Sequence, residues 1–195
     1  MLGIQGYPTE LTLNGVMTGR GVGEIMVSRH ADWQVGEYVL SDFGWQEWAI
    51  SDGKGLRRLA HVEPLSLHLG LLGASGETAW YGLTQIGLSK PGDTLVVSAA
   101  AGAVGSAVGQ IGKLLGCRVI GIAGVAHKCA DVIRRFGFDA CLDYRKTNLA
   151  ERILAAAPGG VDIAFENVGR AILDAVLPTL NHNARIPLLR ACRSL

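Results

Sequence analysis

Between Thr94 and Lys128 the chain reads TLVVSAAAGAVGSAVGQIGKLLGCRVIGIAGVAHK, and this stretch limits the fold more than any other. Leu95-Val96-Val97 is a short, β-branched apolar run of the kind that makes a strand buried on both faces. The turn after it, Ala100-Ala101-Gly102-Ala103-Val104-Gly105, is G-x-G-x-x-G with Ala in the first position. Val104, Val108, Ile111 and Leu115 then form a helical stripe, and Arg118 to Ile122 reads as a second buried strand. Strand, glycine turn, helix and strand together predict a β-α-β crossover. Without a Cβ, Gly102 lets a pyrophosphate approach the main chain, and Gly105 lets the helix pack closely on the strand. The amides of the first helical turn, including Ala103 and Val104, would then face the phosphates. A dinucleotide is the expected ligand, with another Rossmann ligand such as S-adenosylmethionine as the alternative.

The same stretch admits a membrane reading, because Thr94 to Gly112 has no charged residue and Gly105 and Gly109 form a small-xxx-small pair. Its Gly, Ser and Ala content is too high for an apolar span, and turn residues sit in its middle, so no membrane association is expected.

The end of the second strand selects the nucleotide. An NAD site places Asp or Glu there to accept from the ribose 2′-hydroxyl. This chain has Gly121-Ile122-Ala123-Gly124-Val125-Ala126-His127-Lys128, without an acid. Gly124 leaves room and Lys128 supplies an ammonium, so a 2′-phosphate and hence NADP(H) fit better. The alternative for Lys128 is a solvated lysine at a helix start.

A length of 195 residues allows one large domain or two small ones, and 49% hydrophobic against 18% charged residues argues for a packed core. The net charge of +1 gives no electrostatic surface for nucleic acid. The opening MLGIQGYPTELT lacks a basic region followed by an apolar core, so no signal peptide is expected. Cys117, Cys129, Cys141 and Cys192 show no metal-ligand spacing and read as reduced thiols of a cytoplasmic protein, with no zinc site. His30, His61 and His68 are well separated and form no ligand motif.

Residues up to 63 have a different texture. Glycines recur between short stretches such as Glu24–Val27 and Glu37–Leu40, and Ala49-Ile50 ends the last run, which predicts antiparallel strands. Trp33, Trp45 and Trp48 read as core aromatics. Short and longer helices are expected over 64–73 and 75–88. After the crossover, the chain alternates: a helix to Gly137, a strand at Ala140–Leu142, a helix around Leu149–Ala156 and a strand at Val161–Phe165. A helix with Ile172, Val176 and Leu177 follows, then a fifth strand at Ala184–Leu188. The fold class is therefore α/β, with a doubly wound parallel Rossmann sheet.

Ligands of such sheets sit beyond the carboxyl ends of the strands. Three segments qualify: Gly102–Gly105, Gly124–Lys128 and Glu166–Gly169. Tyr144, after the third strand, is placed to reach the adenosine phosphate, and Asn167 can both donate to and accept from a ribose or carboxamide. Their alternatives are an exposed loop tyrosine and an asparagine that stabilises a turn.

Taken together, AAAGAVG, GCRVIGIAG, HKC, DYRK and ENVG resemble the zinc-independent medium-chain dehydrogenase/reductases. The nearest group is the prostaglandin reductase / leukotriene B4 dehydrogenase branch of NADP-dependent alkenal/one reductases. GVGEIMVSRH and GWQEWAISDGKGLRRL resemble the family's GroES-like substrate domain, and the resemblance runs from Gly15 to Ile186. It implies a partial GroES-like β domain over residues 1–70 and a Rossmann domain, incomplete in its later strands, over 71–195. It implies NADPH-dependent reduction of the double bond of enones and enals, with hydride delivered to the β-carbon. Activation would come from hydrogen bonds to the developing enolate, with no metal. Phosphate cradling falls on Gly102, Ala103, Val104 and Gly105, the 2′-phosphate on Lys128 and Tyr144, and a further cofactor contact on Asn167. The implied partner is a small-molecule enone or enal, and a homodimer is left open. The alternatives are a quinone oxidoreductase of the same superfamily and a non-catalytic NADP-binding fragment.

Two departures stand out. Thr78-Ala79-Trp80-Tyr81 replaces a Thr-Ala-Tyr-Phe run, and Tyr81 is a weak candidate for the proton donor, so no catalytic residue is assigned. The chain is also expected to begin inside the GroES-like domain. After Ile186, Pro187 to Leu195 replaces the family's glycine-containing turn, so later strands and the usual catalytic tyrosine are expected to lie outside it.

Overall fold

The computed structural model describes residues 13–60 and 64–189. Expectations about the opening dodecapeptide, His61, Cys192 and the last six residues lie outside those residues. The chain divides into two compact units, Met1–Gly73 and Ala74–Leu195.

In the first unit, β1 (Gly21–Glu24), β2 (Tyr38–Ser41) and β3 (Arg57–Arg58) form an antiparallel sheet in the order β1-β2-β3. The first strand thus precedes the expected Glu24–Val27, and Val27 is exposed. Its glycines are strand residues because Phe43 lies over them. A Cβ on Gly21 would stand 3.4 Å from the Phe43 ring, and one on Gly23 3.8 Å. No strand includes Ala49-Ile50, and Ile50 is fully exposed.

The tryptophans also correct the sequence reading. Trp45 and Trp48 are 71% and 72% exposed, since three short strands cannot enclose them. Trp45 instead lies flat on Gly19, where a Cβ would meet its Nε1 at 2.6 Å. Trp33 is half-buried, with the Arg58 guanidinium 4.7 Å from its ring centroid. A 3-10 turn, Leu65–Leu69, ends the unit, and its buried His68 places Nε2 3.3 Å from the Ala60 carbonyl oxygen.

The second unit opens with α1 (Ala74–Tyr81), which widens into a π turn over Gly82–Ile86. Gly82 backs onto Phe165, and a Cβ there would be 2.5 Å from the ring. The remaining elements are β4 (Thr94–Val97), α2 (Ala103–Leu114), β5 (Arg118–Ala123), α3 (Ala126–Phe136), β6 (Ala140–Asp143), α4 (Leu149–Ala156), β7 (Val161–Phe165), α5 (Arg170–Val176) and β8 (Leu180–Arg185). All five strands are parallel, in the order β6-β5-β4-β7-β8. This is the doubly wound sheet expected from the alternation.

Successive strand residues feed two cores. Leu95, Val97, Val119, Ile163 and Phe165 pack on one face with Ala79 of α1, Leu83 of the π turn, Val108 of α2 and Val132 of α3. Val96, Ile120, Ile122 and Ala164 pack with Ile153, Ile172 and Val176 of α4 and α5 on the other. The glycine pair that suggested a membrane helix has a packing cause instead. A Cβ on Gly105 would fall 2.3 Å from Ala99 O and one on Gly109 1.8 Å from the Phe138 ring, and Gly112 in the same helix is closed by Leu95, 2.6 Å from where its Cβ would be. Among the described residues no helix is long and apolar enough to cross a membrane.

β8 lies earlier than the expected Ala184–Leu188. Val161 pairs with Leu180 but Ile163 with Arg185, so the polar Asn-His-Asn run is accommodated as an irregularity, with Asn183 at φ 64°. Leu188 is added only through an isolated bridge to Glu166. Arg185 then turns back, donating to the Gly87 carbonyl at 2.8 Å and to the buried Asp93 carboxylate.

Candidate functional site

The carboxyl edge of the parallel sheet carries three loops that hold the expected site residues. The first leaves β4. Ala99 adopts φ 50°, Gly102 N–H donates to its carbonyl at 2.8 Å, and Ala100 N–H donates to Ile122 O at 3.0 Å. Gly102, at φ −83° and ψ 172°, then caps α2 without a side-chain partner, leaving first-turn amides open for an anion.

The two glycines of this loop do different things. A Cβ on Gly105 would lie 2.3 Å from Ala99 O and 3.0 Å from Ala100 Cα, so backbone alone excludes a side chain there. A Cβ on Gly102 would meet only Ala99 O, at 3.2 Å, and otherwise open space. Gly102 and Ala103 are exposed, whereas Val104 turns its side chain against the core. The loop thus leaves open space where a side chain at residue 102 would stand, beside the free first-turn amides of α2.

The second loop leaves β5. Ala123 pairs with Asp143 across β5 and β6, so Gly124 and Tyr144 emerge side by side. Tyr144 N–H donates to Ala123 O at 3.1 Å, and its ring covers Gly124, where a Cβ would be 3.0 Å from Cε1 and 3.2 Å from the hydroxyl. Any side chain at residue 124 would therefore press on the Tyr144 ring, which would have to give way by a few tenths of an ångström. Val125 follows at φ 63° and ψ 147°, a region that β-branched residues avoid. Lys128 is exposed on the first turn of α3. Tyr144 itself is 44% exposed.

The third loop leaves β7 and is tied to the first. Asn167 N–H donates to Ser98 Oγ at 2.7 Å, and its amide Nδ2 donates to Ser98 O at 2.8 Å. Ser98 Oγ donates to Glu166 Oε1 at 2.7 Å. Ser98 and Glu166 are each 1% exposed. The turn-stabilising role considered for Asn167 is thus present, and its Oδ1 and second amide hydrogen are left over from these bonds.

Sheet order fixes the spread of the site. Tyr144 follows β6 and Asn167 follows β7, with β5 and β4 between them. Three strand spacings of about 4.8 Å separate them by roughly 14 Å. The structure therefore brings Gly124 to Tyr144, and Asn167 to the strand end that leads into the Gly102–Gly105 cradle. Tyr81 lies elsewhere, in a groove of about 510 Å³ lined by Trp80, Gly82, Ile86 and Leu189.

Of two residues that tie this edge together, Ser98 has no role in the sequence expectations, and Glu166 enters them only as the first residue of the Glu166–Gly169 segment. Their partnership joins positions 68 residues apart, which no local spacing reveals. Among the described residues no group of three or more His, Cys, Asp or Glu is arranged to hold a metal ion. Cys117 and Cys129 are buried free thiols and Cys141 is partly buried; burial, reinforced by a hydrogen bond with Cys129, pushes the Cys141 thiol up.

Comparison with known proteins gives two family matches. The family described as "Zinc-binding dehydrogenase" matches residues 103–189, and the "N-terminal domain of oxidoreductase" family matches residues 2–59. The NADPH-dependent curcumin reductase of Escherichia coli is 49% identical over 183 residues, covering 93% of this chain and 53% of that protein. Prostaglandin reductase 1 of Oryctolagus cuniculus is 41% identical over 180 residues, covering 90% of this chain and 51% of that protein. The crystal structure of CurA from Vibrio vulnificus in complex with NADPH superimposes with a TM-score of 0.85 at 49% identity, covering 95% of this chain and 55% of that one. The chain spans about half the length of the curated relatives it matches.

Proposed function

This chain belongs to the medium-chain dehydrogenase/reductases, in the branch of the NADP-dependent alkenal/one reductases, and from that premise we propose that it binds NADP(H) along the carboxyl edge of its sheet. The observation that carries this reading is the pair of glycine environments: Gly105 closed by backbone, Gly102 open toward solvent. The cradle of Gly102, Ala103, Val104 and Gly105 would hold the pyrophosphate with main-chain amides. Lys128 would pair with the 2′-phosphate, and Tyr144, seated on Gly124, would flank it, its ring crowding any side chain at residue 124. Asn167 would meet the nicotinamide half. The Vibrio vulnificus relative with bound NADPH supports the same choice of nucleotide.

The activity proposed is reduction of the carbon–carbon double bond of an α,β-unsaturated ketone or aldehyde. When bound, the reduced cofactor supplies the hydride. The chain's own residues contribute binding and orientation, and none of them is assigned as proton donor. Residues 1–70 are proposed as part of a GroES-like substrate domain and 71–195 as the cofactor domain. The free thiols support a reducing, cytoplasmic setting.

The test is to incubate the chain with NADPH deuterated at the transferred position and a simple enone. Deuterium at the β-carbon of a saturated product that keeps its carbonyl supports the reading. Turnover of a quinone alone would move the assignment to quinone reduction. NADPH binding without turnover of either would leave a cofactor-binding fragment.

A further inference from the structure

We infer that Glu166 is a positioning residue, whose buried carboxylate fixes the Asn167–Gly169 loop against the start of the phosphate cradle and thereby sets the nicotinamide half of the site. The inference rests on the dinucleotide reading above. Oxygen Oε1 of Glu166 accepts from three donors: Ser98 Oγ–H at 2.7 Å, Gly169 N–H at 2.7 Å and Val168 N–H. Ser98 Oγ in turn accepts Asn167 N–H at 2.7 Å, closing a ring of hydrogen bonds across the ends of β4 and β7. The main chain of Glu166 is anchored as well, donating to Pro187 O at 2.9 Å and accepting from Leu189 N–H at 3.0 Å. With 1% exposure, neither Glu166 nor Ser98 can exchange these partners for water.

The chemistry selects a carboxylate. An ionised carboxylate oxygen accepts only, and it can serve several converging N–H and O–H donors at once. Glutamine in its place keeps the shape but loses the charge and brings an NH2 that must itself find an acceptor. Every amide of the Asn167–Gly169 loop points into this ring, so the loop has one orientation while Glu166 is present. The Asn167 side chain, held to Ser98 O at 2.8 Å, is presented from that fixed frame. The adenosine half of the site, at Gly124, Lys128 and Tyr144, follows β5 and β6, which β4 separates from β7, and shares none of these bonds.

That separation supplies the test. Dissociation constants for NADPH and for adenosine 2′,5′-bisphosphate, which has the 2′-phosphate but no nicotinamide, are measured on the unsubstituted chain and on Glu166→Gln, Ser98→Ala, Asn167→Ala and Glu166→Gln/Asn167→Ala. Glu166→Gln is expected to weaken NADPH by about tenfold or more while changing the bisphosphate by less than about twofold. The double variant is expected to bind NADPH no more weakly than Asn167→Ala, because the two act as one unit. Should Glu166→Gln fail to fold, Ser98→Ala makes the same comparison. Equal losses for both ligands, or no loss for either, would overturn the inference. Failure of the unsubstituted chain to bind NADPH at all would overturn the dinucleotide reading, and this inference with it.

Discussion

Alanine at either cradle glycine separates what the fold needs from what the ligand needs. At Gly105 the added Cβ would sit 2.3 Å from Ala99 O, whereas an ordinary contact begins at 3.4 Å, so helix and loop must part by about 1.1 Å (3.4 − 2.3). The obstacle is main chain, which has no rotamer to escape into. Overpacking of this kind costs about 2–3 kcal/mol, and the better helix propensity of alanine returns about 1, leaving a net destabilisation of about 1–2 kcal/mol. For a unit of this size that lowers the melting temperature by roughly 4–8 °C. At Gly102 the backbone, φ −83° and ψ 172°, already suits alanine, and the Cβ meets only Ala99 O at 3.2 Å. Loss of a glycine cap and restriction of the unfolded chain nearly cancel, so stability should change by less than about 0.5 kcal/mol. Yet the methyl would stand in the proposed path of the pyrophosphate, and NADPH affinity should fall at least about tenfold. Calorimetric melting and NADPH titration of both variants make the comparison. Unchanged melting for Gly105→Ala, or unchanged affinity for a folded Gly102→Ala, would refute the reasoning.

Other outcomes follow from the same geometry. Gly124→Asp alone should lose NADPH affinity without gaining NADH, because the acid meets the Tyr144 ring; combined with Tyr144→Ala it should gain NADH affinity, and a gain by the single variant would contradict the packing described. Asp139 is a second case. Burial raises its carboxyl, but hydrogen bonds from Lys113 at 2.9 Å and from Val119 N–H at 2.7 Å outweigh that and hold it below the usual 3.8. Its stabilisation is therefore fully present above pH 3.8 and is lost as pH falls through the lower folded value. Urea midpoints of Asp139→Asn should lie below those of the parent at pH 7 and converge with them as pH drops below about 4; a constant gap would count against this pairing.

The parallel half of the fold was legible because its inner strands are mainly apolar runs that must be covered on both faces, as in Leu95–Val97 and, around Asp162, Val161–Phe165. What local pattern could not show were features that depend on a distant partner. Gly109 reads as a helix-packing motif until Phe138 is seen against it. The edge strand Leu180–Arg185 carries Asn-His-Asn, because an edge demands less apolar cover, and so its position slipped. Gly21 and Gly23 read as turn residues but belong to β1, their missing side chains replaced by Phe43. At the candidate site, the order of strands in the sequence was sufficient to place Gly124, Lys128, Tyr144 and Asn167 at the carboxyl edge of the sheet. The contact of Tyr144 with Gly124, and the Ser98–Glu166 bond beneath Asn167, depend on sheet register, which only the folded chain supplies.

The most direct measurement is the affinity of the chain and its Lys128→Ala variant for NADPH and NADH, titrated side by side. A charge-assisted contact with the 2′-phosphate contributes about 1.5–3 kcal/mol, so the variant should lose roughly ten- to 150-fold for NADPH and almost nothing for NADH. Equal losses for the two nucleotides, or none for NADPH, would contradict the account.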